Sequence, residues 1–126
     1  MLADAPIYAT VPARDFERAK HFYRDTLGLK VLQEEAQGIR FECGGTMLFV
    51  YPTYAPEVAG HTLASWDVAD LAAEMADLRA RGITFEEYDL PGLKTTNGVA
   101  EMGDERGAWF KDSEGNVLAV SQRISR

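Results

Sequence analysis

The sequence has a single cysteine, no long hydrophobic run and few basic residues. Cys43, the only cysteine, cannot form an intrachain disulfide or supply a thiolate cluster for structural zinc. No apolar stretch approaches the roughly 20 residues of a transmembrane helix, and no basic segment followed by an apolar one opens the chain. We therefore expect no membrane association and a cytoplasmic location.

The charge balance disfavours nucleic acids and anionic lipid surfaces as partners. Thirteen Lys and Arg residues stand against twenty Asp and Glu residues, which gives a formal net charge of −7. A field of this sign repels phosphate groups. With 126 residues, of which 46% are hydrophobic, the chain has the size and composition of one ordinary globular domain.

One β-α-β-β-β pattern begins near the N-terminus. An apolar strand at 7–11 is followed by an amphipathic helix that starts at the N-cap residue Asp15 and stops at Gly28. Three extended stretches follow at 30–35, 39–43 and 46–51, with Gly38 as a turn residue before the second of them.

The same pattern returns in the second half. A strand at 61–68 precedes a helix capped by Asp70 and ended by Gly82, and a further strand is predicted at 84–88. We predict an α+β fold in which a single domain of residues 1–126 contains two modules, at about 5–53 and 60–123. The segment 89–106 interrupts the second copy, and it is interpreted either as a solvated loop or as a flap over a pocket.

Alternation along the strands assigns two faces to the sheet. One parity is uniformly apolar and is expected to lie under the helices; it contains Ile7, Val11, Leu48, Val50, Trp66, Leu118 and Val120. The other parity mixes aromatic, small and hydroxyl side chains, as the wall of a small-molecule cavity does. Its candidate ligand-binding residues, together with Trp109 as a further flat surface, are Tyr8, Thr10, Phe49, Tyr51, His61, Leu63, Ser65 and Ala119. Alternatively, this face packs against another sheet or a dimer partner.

Three motifs resemble the vicinal oxygen chelate superfamily, which includes glyoxalase I, bleomycin-resistance proteins and extradiol dioxygenases. The run from Val11 to Leu29, which contains Arg-Asp-Phe-Glu-Arg-Ala-Lys-His-Phe-Tyr, resembles the opening of these proteins. The stretch from Trp109 to Leu118 resembles their closing strand pair, and Leu78 to Ile83 the end of their second helix. The resemblance implies two βαβββ modules that form a cupped mixed sheet with helices on its outer face, commonly completed in a homodimer.

The resemblance also locates the positions at which metal-dependent members carry His, Gln or Glu ligands. These positions are occupied here by Tyr8 and Leu63 on the first strand of each module, and by Phe49 and Ala119 on the last strand. Leu, Phe and Ala have no donor atom, and a neutral phenol is a poor ligand for a divalent cation. We therefore expect no metal and no other cofactor.

Three functions follow as hypotheses. The first is a metal-free binding protein of the bleomycin-resistance type that holds a flat apolar or aromatic ligand. The second is a metal-dependent glyoxalase-like lyase or isomerase, or a dioxygenase, acting on a substrate with vicinal oxygens. The third is a homodimeric regulatory module whose cupped face is buried against its partner. For an enzyme, His61 is the best candidate for a general acid or base, although a solvated residue at the strand edge is an equally good interpretation.

Overall fold

A computed structural model describes residues 1–53 and 57–124 of the chain. The chain divides into two compact units, Met1–Glu57 (unit 1) and Val58–Arg126 (unit 2). Each unit contains a four-stranded mixed sheet and a helix, so the predicted α+β class is confirmed. Among the described residues, no helix is long and apolar enough to cross a membrane.

The sheet of unit 1 has the strand order β1-β4-β3-β2, in which β1 and β4 run parallel and the other pairs antiparallel. Its strands are β1 (Ala9–Ala13), β2 (Lys30–Glu35), β3 (Gly38–Cys43) and β4 (Thr46–Pro52). A helix, α1 (Phe16–His21), follows β1 and continues as a π-helical turn at Phe22–Thr26.

The helical segment that α1 and the π-helical turn form together lies between the predicted limits, Asp15 and Gly28. The Asp15 carboxylate accepts a hydrogen bond from the Arg18 backbone N–H at 3.0 Å, which satisfies one of the free donors of the first turn. Gly28 then takes a φ of 73°, a conformation that glycine adopts without strain. The helical segment buries Ala19 and Tyr23 completely.

The apolar parity of unit 1 forms its core, with one exception. Val11, Val50 and Phe41 are fully buried. Ile7, in contrast, is 89% exposed, because β1 starts at Ala9 and its pairing with β4 begins only at the Ala9–Leu48 pair. The predicted strand at 7–11 is thus displaced toward Ala13, and the assignment of Ile7 to the core is wrong.

Unit 2 repeats the topology, with the strand order β5-β10-β9-β8 and a parallel β5–β10 pair. Helix α2 (Leu71–Ala80) is capped by the Asp70 carboxylate, which accepts from the Ala73 N–H at 3.1 Å. The strands are β5 (Thr62–Asp67), β6 (Asp89–Leu90), β7 (Leu93–Lys94), β8 (Ala100–Met102), β9 (Glu105–Lys111) and β10 (Val117–Arg123).

The prediction of a strand at 84–88 is wrong. Phe85 makes a single bridge to Phe110, and the Glu86 N–H donates to the Trp109 carbonyl at 2.7 Å. The other end of β9 pairs with β8, which comes from the segment expected to be a loop or flap. This segment also contains the small β6–β7 hairpin, so much of it is ordered as strand.

Helix α2 contributes Leu71, Met75 and Leu78 to the core of unit 2. Phe110 lies at the centre of an aromatic cluster, with the Phe85 ring edge-on at 5.8 Å and the Trp66 ring stacked at 6.3 Å. Trp66 is half-buried rather than fully enclosed.

Candidate functional site

The sheet face of unit 1 opposite its buried core carries the residues predicted for binding. Strand register places Thr10 beside Phe49 and Phe49 beside Arg40 in one row across three strands. Thr10 is exposed, whereas Phe49 and Arg40 are half-buried. With Met47 and Tyr51, which share the parity of Phe49 on β4, these residues form what we call the open face of unit 1.

Phe49 and Tyr51 form a flat aromatic surface on this face. Their rings are nearly parallel, at an interplanar angle of 18° and a centroid distance of 6.3 Å. Gly38 provides the space for the Phe49 ring, since a Cβ on Gly38 would lie 2.7 Å from Phe49 Cζ. Gly38 was predicted as a turn residue; it is instead the first residue of β3 and has a φ of 152°.

Arg40 is a residue of this face that sequence reasoning missed. Its guanidinium carbon lies 5.0 Å from the centroid of the Phe49 ring, which is the geometry of a cation–π contact. Its Nη1 also donates to the Glu35 carboxylate at the end of β2. The sequence carries a signal for this side chain, because Arg40 alternates with the core residues Ile39 and Phe41 along β3 and therefore lies on the opposite face.

The corresponding face of unit 2 is built from Ser65, Ala119 and Trp109, which strand register places in one row. Trp109 is half-buried, and the Tyr88 ring packs edge-on against it at 5.7 Å. Burial raises the pKa of the Tyr88 hydroxyl, and the negative charge of Glu86 raises it further.

The three remaining predicted binding residues lie at the strand ends. Tyr8 precedes β1 and is 45% exposed. Leu63 sits at an irregularity of the β5–β10 pairing, where the register shifts. His61 is exposed and precedes β5, and its Nδ1 lies 3.2 Å from the Thr62 carbonyl oxygen. Strand register therefore does not place His61 in the row that Ser65, Ala119 and Trp109 form.

Polar residues of the segment 89–106 have structural partners. The buried Thr95 hydroxyl accepts from the Tyr88 N–H at 2.8 Å and thereby ties the segment to the core of unit 2. Glu101 is exposed and paired with Arg106 at 3.1 Å.

Comparison with known proteins assigns the chain to a family. The profile of the Glyoxalase/Bleomycin resistance protein/Dioxygenase superfamily matches residues 6–120. The chain therefore belongs to this superfamily.

Solved structures agree on the fold. A glyoxalase family protein from Bacillus anthracis is similar with a TM-score of 0.75, 16% identity and coverage of 95% of each chain. A lactoylglutathione lyase from Agrobacterium tumefaciens is similar with a TM-score of 0.68 and 20% identity, over 94% of this chain and 93% of that one. No curated protein sequence matches the chain.

The residues that the resemblance aligns with the metal ligands of the superfamily do not fit a divalent cation. In unit 1 these positions hold Tyr8 and Phe49, and in unit 2 they hold Leu63 and Ala119, so the phenol of Tyr8 is the one side-chain donor of the four. Within residues 1–53 and 57–124, no group of three or more His, Cys, Asp and Glu residues is arranged to hold a metal ion. The carboxylate of Glu35, which lies beside the row of Thr10, Phe49 and Arg40, is bound to Arg40.

Proposed function

We propose that this protein is a metal-free small-molecule-binding protein of the bleomycin-resistance type, whose ligand is flat and apolar or aromatic. The observation that carries the proposal is the parallel pair of Phe49 and Tyr51 on the open face of unit 1. Half-buried aromatic rings offer a large apolar area and a defined stacking geometry to a planar ligand. Trp109, with Tyr88 against its ring, offers a similar surface in unit 2.

The polar groups beside these rings suit orientation rather than catalysis. Thr10 flanks Phe49 on β1, and Ser65 occupies the equivalent place beside Ala119 on β5. A hydroxyl can donate or accept a hydrogen bond, but it neither ionises near neutral pH nor binds a divalent cation well. In this proposal the mechanism is burial and stacking of the ligand, with the hydroxyls selecting its orientation.

The test is isothermal titration calorimetry, in which planar aromatic compounds are titrated into the protein with and without EDTA. We expect saturable binding that EDTA leaves unchanged. The variant Phe49→Leu keeps apolar bulk and removes the ring, so it should weaken binding by about tenfold if stacking contributes. The matched control is Leu90→Ala, which truncates an exposed apolar side chain in the β6–β7 hairpin of unit 2.

Three outcomes would contradict this proposal. Binding that EDTA abolishes and one divalent cation restores would favour the lyase, isomerase or dioxygenase. An unchanged affinity in Phe49→Leu would remove unit 1 from the site. Absence of binding by any planar compound would favour the homodimeric module without a ligand.

We also propose that the protein is a homodimer. In the described part of each unit the sheet ends at a strand paired on one side only, β1 in unit 1 and β5 in unit 2, and such edges can pair with a second chain. The exposed apolar Ile7 lies next to the β1 edge. Light scattering after size exclusion should give twice the mass of 13.9 kDa, and Ile7→Asp should shift the equilibrium toward monomer. A monomeric mass at all concentrations would contradict the proposal.

A further inference from the structure

Arg40 is held by two contacts on the open face of unit 1, where it lies next to Phe49 on the neighbouring strand. The Phe49 ring lies beneath its guanidinium group, at 5.0 Å from the guanidinium carbon to the ring centroid. The Nη1 atom of Arg40 also donates a hydrogen bond to the Glu35 carboxylate. A planar group held by a ring and a carboxylate has lost most of its rotational freedom before a ligand arrives, so a further hydrogen bond costs little additional entropy.

The guanidinium group retains donors that the described part of the chain does not use. A guanidinium carries five N–H groups, and here Nη1 is the nitrogen that donates to Glu35. Neither Nε nor Nη2 makes a hydrogen bond to any residue among 1–53 and 57–124. The side chain is 31% exposed, and its guanidinium group lies over the Phe49 ring, which belongs to the aromatic surface. A ligand that stacks on this surface and lacks an acceptor would leave these donors without water and without a partner.

The charge of Arg40 is already balanced. Glu35 is 30% exposed and bound directly to the guanidinium group, so the two side chains together carry no net charge. A carboxylate ligand at Nε and Nη2 would place a second negative charge beside Glu35, in a chain whose net charge is −7. A neutral carbonyl oxygen would accept the same hydrogen bonds without that repulsion.

We propose that unit 1 binds a neutral planar conjugated ligand through a carbonyl oxygen that accepts from Arg40, and that Glu35 excludes carboxylates from this site. Aryl ketones, quinones and lactams are the chemical classes that meet this description. The inference rests on the proposed binding function. It specifies, in addition, which polar group the ligand carries.

The experiment compares three naphthalenes substituted at the same ring carbon: the acetyl, the isopropyl and the carboxylate derivatives. They share the ring and differ in having a neutral acceptor, no acceptor or a charged acceptor. Equilibrium dialysis at neutral pH gives the three dissociation constants. We expect the acetyl compound to bind about tenfold more tightly than either of the others, because each alternative leaves a donor unpaired or adds a repelled charge.

Two variants test which residues cause the preference for the acetyl compound. Arg40→Met removes the donors and keeps an apolar chain of similar length, so the acetyl compound should bind no better than the isopropyl one. Glu35→Gln keeps an acceptor for Nη1 and removes the charge, so the carboxylate should gain about tenfold and reach the affinity of the acetyl compound. If Arg40→Met does not fold, Arg40→Lys retains the charge without the planar fork and should still lower the acetyl preference.

The possible failures are distinguishable. If all three naphthalenes bind with equal affinity and Phe49→Leu weakens each of them, the binding function stands and the inference about Arg40 is overturned. A wild-type preference for the carboxylate, or an unchanged ranking in Glu35→Gln, also overturns it. If none of the three binds, the proposed function fails for this class and the inference fails with it.

Discussion

The ring of Phe49 occupies the space in which any residue other than glycine at position 38 would place its Cβ. That Cβ would lie 2.7 Å from Phe49 Cζ and 2.8 Å from Cε1, and it would also collide with the Val50 carbonyl oxygen. Gly38 has, in addition, a φ of 152°, which L side chains rarely adopt. The aromatic surface of unit 1 thus depends on a glycine on the neighbouring strand.

The first prediction concerns this glycine. Gly38→Ala should destabilise the protein by about 3 kcal/mol, through backbone strain and displacement of the Phe49 ring. The control is Gly45→Ala, because Gly45 has a positive φ of 83° but nothing within 4 Å of an added Cβ. It should lose about 1 kcal/mol. Urea unfolding curves give both values, and equal losses would show that the Phe49 ring is not displaced.

The repeat, its helix caps and its turn glycines could be predicted from the sequence because they depend on local chemistry. Asp15 and Asp70 each cap a helix through the side chain, as their position before an apolar helical pattern indicates. Gly45, in the turn between β3 and β4, and Gly115, in the turn between β9 and β10, take nearly the same φ of 83° and 85°. These features need only a few neighbouring residues, which a sequence displays directly.

The errors arose where pairing partners decide the structure. Residues 84–88 have the composition of a strand, yet only Phe85 bridges to β9, since the rest of that edge pairs with β8. Composition does not reveal which of two segments takes an edge. The contact between Arg40 and Glu35 could not be predicted for a similar reason, because it depends on the register between β2 and β3.

The second prediction concerns the buried turn between β9 and β10. The Asp112 Oδ1 atom accepts from the backbone N–H groups of Glu114 and Asn116, both at 2.8 Å, and Oδ2 accepts from the Asn116 amide at 2.9 Å. All three residues are buried. Asp112→Ala would remove the acceptor of these three buried hydrogen bonds and should cost about 3 kcal/mol in urea unfolding.

A matched control separates this effect from simple loss of a carboxylate. Asp104 is 58% exposed and pairs with Arg123 at 3.2 Å, so Asp104→Ala should lower stability by less than about 1 kcal/mol. If Asp112→Ala were no worse than Asp104→Ala, the turn would not depend on the buried carboxylate.

The third prediction uses the raised pKa of Tyr88. Because burial disfavours the tyrosinate, the folded state keeps the Tyr88 proton at a pH at which the unfolded state, near 10.0, has begun to release it. The stabilisation is therefore complete below the unfolded pKa and is lost as the pH rises through the folded pKa. Difference absorbance between wild type and Tyr88→Phe should place the titration of Tyr88 above 10.0.

Glu86→Gln tests the order of the two causes. Removing the carboxylate should lower the pKa of Tyr88 only in part, because burial is the larger cause and remains. A titration of Tyr88 at or below 10.0 in the wild type would contradict its burial against Trp109.

The fourth prediction concerns metal ions. It follows from the absence of side-chain donor atoms at Phe49, Leu63 and Ala119, and from the poor donor at Tyr8. A cation bound to the native state at a hundred times its Kd would add about 2.7 kcal/mol of stability, enough to raise Tm by several degrees. We expect Ni²⁺, Mn²⁺ and Zn²⁺ to leave Tm unchanged, EDTA not to lower it, and the purified protein to carry no stoichiometric metal. A stoichiometric cation whose removal lowers Tm would mean that other donors form a site, and the metal-dependent lyase, isomerase or dioxygenase would become the leading hypothesis.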